Sequence, residues 1–418
     1  MTPRRAVLLP MLFLLLGALS ASPAGAADGR HPVLMVSIDG LRPDVVLQAD
    51  KHGQKIPVLR GLLREGSYAQ AVINVNPTVT NPNHTTLVTG VLPAEHGIYN
   101  NRPFAPTEKG GAGYSAYSQI KAQTLWGAAK AAGLTTASLF WPVTGGASDI
   151  DFNPREGSDE DDAKIADDAV ALIETKRPDL LTVHFVSLDH EAHKHGADSV
   201  EARAVLERID TALGRVIAAQ RKADPDSVVV VASDHGFADL SHTINLNVAL
   251  VEAGFITVDA AGGVQSWTAF VWYVGGSAMV VLRDPADAAT RDRLSDLLRK
   301  LAKDPANGIE RVYARAEIAG LGLAPEAEMV VALKTGYRMG TALEGPLLAS
   351  ASGGGHGAFS TRTVRPDMRS AFFMTGPGVA AGQNLGVIDM RQIAPTVARA
   401  LGVLLPAARS PALAKGYR

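Results

Sequence analysis

Three aspartates, each closing an apolar run, carry the first chemical information in this chain. Asp39 follows Val33–Ile38, Asp189 ends the run that begins at Leu180, and Asp234 follows Val228-Val-Val-Val-Ala-Ser. Histidines accompany two of them: His193 lies four residues past Asp189, and His235 directly follows Asp234. Carboxylates delivered to one place repel each other unless cations neutralise them. A mixed Asp/His set is donor chemistry for a divalent metal, with zinc the expected ion. A further imidazole, His356, sits in the glycine-rich turn Gly353-Gly-Gly-His356-Gly. A hydroxyl stands in Pro77-Thr-Val-Thr80-Asn-Pro-Asn-His84, where Thr80 lies on a Pro/Asn-rich turn that opens a helix. The free N–H groups of a helix N-terminus favour an anion. Beside two cations a hydroxyl held there loses its proton near neutral pH, because the metals replace a general base. Taken singly, Thr80 would cap its helix, Asp189 and His193 would be an i, i+4 surface pair, and Asp234-His235 would be a turn. Their co-occurrence is what points to a site.

The elements that must position these groups follow from periodicity. Short β-branched runs at 33–38, 180–189 and 228–233 read as buried parallel strands, with a further strand at Thr135–Phe140. Helical stretches are expected around 44–65, near Thr85–Thr89, over 121–132, from the charged segment Arg155–Asp162 to about Lys176, and near 198–222. Strands alternating with helices of this length argue for a parallel, helix-flanked sheet. In such sheets ligands bind beyond the carboxyl ends of the strands. Residues 255–345 change texture. Strands at Ala278–Arg283 and Glu328–Lys334 flank a helix at 288–303, which reads as a small inserted α+β subdomain. The main sheet resumes after His356, with a strand at Ala371–Thr375.

Composition narrows the chemistry. Cysteine is absent, which removes disulfides, thiol catalysis and thiolate ligands, so a metal must be held by Asp, Glu, His or a hydroxyl. The formal charge is −2 with no basic block, so the electrostatic footprint for long nucleic acid is missing. Arg4 and Arg5 precede an apolar stretch from Ala6 to Leu19 and the small-residue pattern Ala24-Gly-Ala26. Residues 1–26 are therefore expected to be a secretory signal peptide, leaving a periplasmic or secreted catalytic domain over 27–418 without a stable membrane anchor.

Six motifs in a fixed order resemble the nucleotide pyrophosphatase/phosphodiesterase family of the alkaline phosphatase superfamily. They are Asp39-Gly-Leu-Arg, Thr80-Asn-Pro-Asn-His, His96-Gly-Ile-Tyr-Asn-Asn101, Asp189-x3-His193-x-His195-Gly, Ser-Asp234-His235-Gly and Gly-Gly-His356-Gly. The resemblance runs from residue 33 to about 400 and includes Phe140-Trp-Pro and Gly376-Pro-Gly. It implies an alkaline-phosphatase-like α/β/α sandwich with a mostly parallel central sheet. It also implies two zinc ions, or less readily manganese: one held by Asp189, His193 and His356, the other by Asp39, Asp234 and His235 with the Thr80 oxygen. Thr80 would be the nucleophile and form a phospho-threonine intermediate. Asn101 and the backbone N–H of Asn81 would bind a non-bridging phosphoryl oxygen, with Asn101 preferred over Asn100 by motif spacing. The implied substrate is a small phosphodiester or nucleotide.

Other members of the superfamily set the alternatives. Sulfatases that use a cysteine-derived formylglycine are excluded by the missing cysteine. A periplasmic phosphomonoesterase with the same metal site is the rival reading. It would need added positive charge for a dianionic phosphate, yet no Arg or Lys occupies a matched motif position, although Arg102 and Lys194 neighbour two of them. Nucleotide-cleaving members often place an aromatic residue directly after the nucleophile; here that position is Asn81, with Tyr99, Phe104 and Tyr114 as other candidates for stacking. His84, His96, His190 and His195 are expected as hydrogen-bonding scaffold, His184 as core, and Arg42 as a structural bridge.

Overall fold

The computed structural model describes residues 30–108, 111–154, 161–362 and 364–417; the expected signal peptide lies outside the described residues. Strand β1 (Val33–Ile38) is buried along its whole length. It precedes helices α1 (Pro57–Glu65) and α2 (Thr80–Thr89). Next come strand β2 (Thr136–Leu139), helix α3 (Asp162–Lys176) and strand β3 (Leu180–Phe185). Helices α4 (Ser187–His195) and α5 (Val200–Ala223) then lead to strand β4 (Val228–Ala232). Strand β5 (Phe372–Thr375) and helix α6 (Ile393–Leu401) complete the main layers.

β1 lies between β3 and β4 and runs parallel to both, and β2 extends the parallel set beyond β3. β5 joins on the other side of β4, antiparallel to it, followed by the short strands Ser67–Tyr68 and Gln383–Asn384. The period-two alternation of a strand divides β1 between two cores. Leu34, Val36 and Ile38 pack with Leu59 and Leu62 of α1, Ile165 and Ile173 of α3, and Leu206, Ile209 and Val216 of α5. Val33 and Met35 pack with Leu87 and Val88 of α2 and with Ile393, Val397 and Leu401 of α6. Helices therefore cover both faces of a mostly parallel sheet, the architecture expected for a near-continuous run of apolar strand residues.

Between β4 and β5 the chain builds a separate four-stranded antiparallel sheet in the order 269–273, 277–282, 327–333, 309–314, with helix Ala288–Ala302 packed beside it. It has apolar clusters of its own, one around Leu294, Leu298 and Val331, another around Trp272, Met279 and Val330. Among the described residues no helix is long and apolar enough to cross a membrane.

Candidate metal centre

Register places the first two carboxylates. Ser37 of β1 pairs with Ala232 of β4, so Asp39 and Asp234 leave neighbouring strands at the same level, two residues on. The turn after β1 is held by Gly40, whose φ of 72° is left-handed and whose N–H donates to Asp234 Oδ1 at 3.1 Å. A Cβ there would also meet the Phe237 ring at 3.0 Å, so glycine is needed for conformation and for space.

Asp189 is not at a strand end. β3 stops at Phe185 and Asp189 lies in the first turn of α4, with His193 one turn further along the same face. The apolar residues Val186 and Leu188 hide this strand-to-helix change in the sequence. What fixes the change is Asp162 at the start of α3: its buried carboxylate accepts from the backbone N–H of Val186 at 2.8 Å and of Ser187 at 3.2 Å. Thr80 is the first residue of α2, a helix that begins earlier than the expected Thr85 and is capped at Val79 without any side-chain bond. The Thr80 hydroxyl is thus not spent on capping.

Two groups of three ligand-type atoms lie mutually within 4.8 Å: Asp189, His193 and His356, and Asp39, Asp234 and His235. In the second group His235 Nε2 is 3.3 Å from Asp39 Oδ1, 3.1 Å from Asp234 Oδ2 and 3.5 Å from Thr80 Oγ1. All three residues of that group are buried. In the first group His193 Nε2 is 3.5 Å and His356 Nε2 is 3.6 Å from Asp189 Oδ1. The six side chains and Thr80, picked out from separate motifs, converge.

The donor atoms fit cations and little else. Asp39 Oδ1, Asp189 Oδ1 and Asp234 Oδ2 are buried with no hydrogen-bond partner among the described residues. Such orphaned acceptors are costly unless a ligand satisfies them. The imidazoles tell the same story through their tautomers. His193 Nδ1 donates to Gly354 O at 3.0 Å, His356 Nδ1 to Thr78 O at 3.1 Å and His235 Nδ1 to Gly236 O at 3.1 Å. Those carbonyl partners assign the proton to Nδ1 and leave a lone pair on each Nε2. His193 Nε2 and His356 Nε2 then face each other at 3.1 Å with no proton between them, an arrangement a cation would relieve.

Electrostatics agrees. Burial, then the charge of Asp189, pushes the Asp39 carboxyl well above its usual range. Burial, then Asp39, does the same to Asp234, and burial raises Asp189. Burial, then the neighbouring His356, holds His235 well below its usual value, and burial with His193 brings His356 down to about 3. Burial of this donor set favours protonated acids and neutral imidazoles, the response of ionisable groups in a low-dielectric pocket, and a cation held there would reverse it for the acids.

The surrounding residues show what sequence reasoning missed. His184, expected as core, is buried, but its Nε2 is 3.0 Å from Asp39 Oδ2 and its Nδ1 3.0 Å from Phe140 O, so it orients a candidate ligand. Nothing in the sequence separates it from a packed core histidine. His84 lies 3.4 Å from Asp234 Oδ2 and 3.0 Å from Thr80 O. His96 is buried, with Nδ1 accepting from Ile98 N–H at 3.1 Å. His190 is exposed, and His195 pairs with Glu191 at 3.4 Å. Arg42 bridges Asp44 at 3.3 Å and Asp198 at 2.7 Å.

On the open side, Asn101 Oδ1 accepts from the Asn81 N–H at 2.8 Å, so the two groups expected to hold a phosphoryl oxygen are joined. Asn100 is committed elsewhere: its Nδ2 donates to Tyr273 O at 2.8 Å and its Oδ1 accepts from Asn101 N–H at 2.8 Å. Asn81 turns its side chain toward Tyr114 O, at 3.1 Å. Phe104 is consumed by packing against Trp267 and Trp272 at 5.5 and 5.4 Å, and Tyr99 leans on the same apolar cluster. A cleft of about 220 Å³ opens beside the site, lined by Asn101, Arg102, His193, Tyr273, Arg338 and His356 among others.

The family model described as type I phosphodiesterase/nucleotide pyrophosphatase matches residues 33–339. Human ectonucleotide pyrophosphatase/phosphodiesterase family member 1 is 29% identical over 227 residues, which is 49% of this chain and 23% of that protein. Venom phosphodiesterase 2 of Crotalus adamanteus is 27% identical over 234 residues, 53% of this chain and 28% of the venom protein. The chain therefore matches only about a quarter of the length of these relatives. Murine ectonucleotide pyrophosphatase/phosphodiesterase 5, solved as an inactive variant in complex with AMP, superposes with a TM-score of 0.68 at 20% identity, over 90% of this chain and 96% of that one. The two share a fold, the alkaline-phosphatase-like arrangement the sequence led us to expect.

Proposed function

The chain belongs to the type I phosphodiesterase/nucleotide pyrophosphatase family, and from that premise we propose that it hydrolyses small phosphodiester or pyrophosphate bonds through a phospho-threonine at Thr80. Asp39, Asp234 and His235 would hold one divalent cation, and Asp189, His193 and His356 the other. Nitrogen and carboxylate donors without any cysteine favour zinc, with manganese the less favoured ion. The cations would supply the positive charge that keeps the Thr80 oxygen ionised and offsets charge building on the phosphoryl group.

The chain's own residues do the rest. Thr80, half-exposed at the start of α2, presents its oxygen to phosphorus while the helix N–H groups favour the anion. Its Oγ–P bond forms as the bond from phosphorus to the leaving oxygen breaks, and the leaving oxygen keeps the electron pair. Asn101 would swing its amide from the Asn81 N–H so that both donate to a non-bridging oxygen. Water then attacks the phospho-threonine, the P–Oγ bond breaks and Thr80 is regenerated. His184 and Asp162 hold the ligands in place throughout.

The observation that carries this reading is the set of three orphaned carboxylate oxygens converging beside an uncapped, accessible threonine hydroxyl. The relatives' names, ectoenzymes and a venom enzyme, favour an exported protein. The test is turnover of bis-p-nitrophenyl phosphate and p-nitrophenyl phosphate by zinc-loaded protein and by Thr80→Ala. Diester turnover should dominate and fall on the order of 10³-fold or more in the variant, which keeps its metal. Preference for the monoester would establish the phosphomonoesterase instead, and a fully active Thr80→Ala would remove the nucleophile.

A further inference from the structure

The main sheet does not hold the phosphoryl side of the site alone. Between the strands 269–273 and 277–282 of the inserted sheet, the turn after Tyr273 lines the cleft with Val274 and Gly275. That turn is fastened to the His356 loop at two points. Gly276 N–H donates to His356 O at 2.8 Å, and Ser277 Oγ donates to Gly357 O at 2.7 Å. From the side of the nucleophile, Thr78 O accepts from Gly357 N–H at 2.9 Å and from His356 Nδ1 at 3.1 Å. The inserted sheet therefore has a fixed place relative to one candidate cation group. Asn100 ties the phosphoryl pocket to the same turn. It is buried, and its Nδ2 donates to Tyr273 O while its Oδ1 accepts from Asn101 N–H, each at 2.8 Å. Reversing this amide would set oxygen against oxygen and N–H against N–H, so its direction is dictated by its partners. Trp272 Nε1 adds a second tie, donating to Arg102 O at 3.2 Å, and Asn101 O accepts from Tyr114 N–H at 3.0 Å. The backbone of Asn101 is thus pinned on both sides, while its half-buried side chain reaches the Asn81 N–H.

We propose that Asn100 is a positioning residue: it fixes the backbone of Asn101 to the inserted sheet's turn, and so to the His356 group, giving the Asn101 amide a still pivot about which to turn toward the phosphoryl oxygen. The inserted subdomain is then a working part of the phosphoryl-transfer site. The inference rests on the phosphoryl-transfer reading above, in which the Asn101 amide leaves the Asn81 N–H to donate to a non-bridging oxygen. A side chain that must rotate needs a backbone that does not, because a group about 1 Å out of place can cost on the order of 100-fold in rate. The contact strengthens as charge builds on phosphorus, so losing its alignment lowers kcat more than it raises KM. A bond that merely docked the subdomain would lower stability and leave that split unmoved.

The test compares zinc-loaded native protein, Asn100→Ala, Asn101→Ala and the double variant. With bis-p-nitrophenyl phosphate, Asn100→Ala should lower kcat about 10- to 100-fold and leave KM within about threefold. Inhibition by orthovanadate, a mimic of five-coordinate phosphorus, should weaken in parallel, while a competition titration finds both zinc affinities native. Added to Asn101→Ala, Asn100→Ala should cost less than about twofold more, because the two changes remove one contact. Trp272→Phe cuts the second tie and keeps an aromatic ring, so it carries the test if Asn100→Ala folds poorly; its kcat should fall about threefold or more. If Asn101→Ala is impaired but Asn100→Ala and Trp272→Phe keep kcat within about twofold, or their losses multiply with that of Asn101→Ala, the positioning role is wrong and the phosphoryl-transfer reading stands. Loss of either zinc from Asn100→Ala would also overturn it, by moving the effect to the cations. If Asn101→Ala turns over like the native enzyme, the pocket assigned to the phosphoryl oxygen falls and takes the inference with it.

Discussion

At the scale of single residues, the site is governed by who holds each ligand as much as by the ligands themselves. His184 is the clearest case, because its ring bridges Asp39 and the Phe140 carbonyl and so holds the direction of the carboxylate. Partners of this kind commonly change metal affinity by about 10- to 100-fold when removed. His184→Gln should therefore weaken cation binding by that amount while the far-ultraviolet circular dichroism stays native; unaltered affinity in a competition titration would assign His184 to packing alone. The motif residues Asp39, Thr80, Asp189, His193, Asp234, His235 and His356 were legible because donor type and spacing survive in the linear sequence. His184 was not, since a histidine inside an apolar strand looks the same whether its ring meets carbons or a carboxylate.

At the scale of elements, short local signals were readable and their ends were not. The alternation of β-branched runs with helices announced the parallel sheet, but the start of α4 was hidden because Val186 and Leu188 continue the apolar run of β3. What ends that strand is a distant carboxylate, Asp162, which no local pattern contains. The same device recurs at α1, which lacks a side-chain cap of its own. Asp210, on the buried face of α5, accepts from the N–H groups of Val58 and Leu59 at 3.0 and 2.8 Å instead. Asp210→Ala would leave the buried Leu59 donor and the half-buried Val58 donor without their acceptor, at a cost of about 1–3 kcal/mol. Urea unfolding of the metal-loaded protein should show that loss with unchanged kcat. A drop in kcat of the same order as the stability loss would mean that α1 and α5 reach the site in a way the hydrogen bonds do not reveal.

At the scale of the whole molecule, the fold gathers six candidate ligands from strand ends, a helix and a glycine loop onto one edge of the sheet. The loop is forced to come close. Gly353, at φ 76°, passes so near His193 that a Cβ would sit 2.1 Å from its carbonyl oxygen. Buried carboxylates without counter-charge oppose folding, so cations bound to the native state should stabilise it by mass action. At free metal about 1,000-fold above Kd the gain is about 4 kcal/mol. Chelation should accordingly lower the thermal midpoint and abolish turnover together, with both restored by zinc; a midpoint indifferent to chelator would mean that the carboxylates are satisfied in some other way.

The two ligand groups are also completed at different moments of synthesis. Asp39, Asp234 and His235 have all been made once residue 235 is in place, whereas the group with Asp189 and His193 waits for His356, after the whole four-stranded sheet. Ribosomal order thus completes one candidate donor set early and the other late, and a polypeptide cut anywhere between these points carries the whole of the first set but lacks His356 of the second. Loss of the C-terminal quarter would leave Thr80 with its nearest candidate ligands present and the other group reduced to Asp189 and His193.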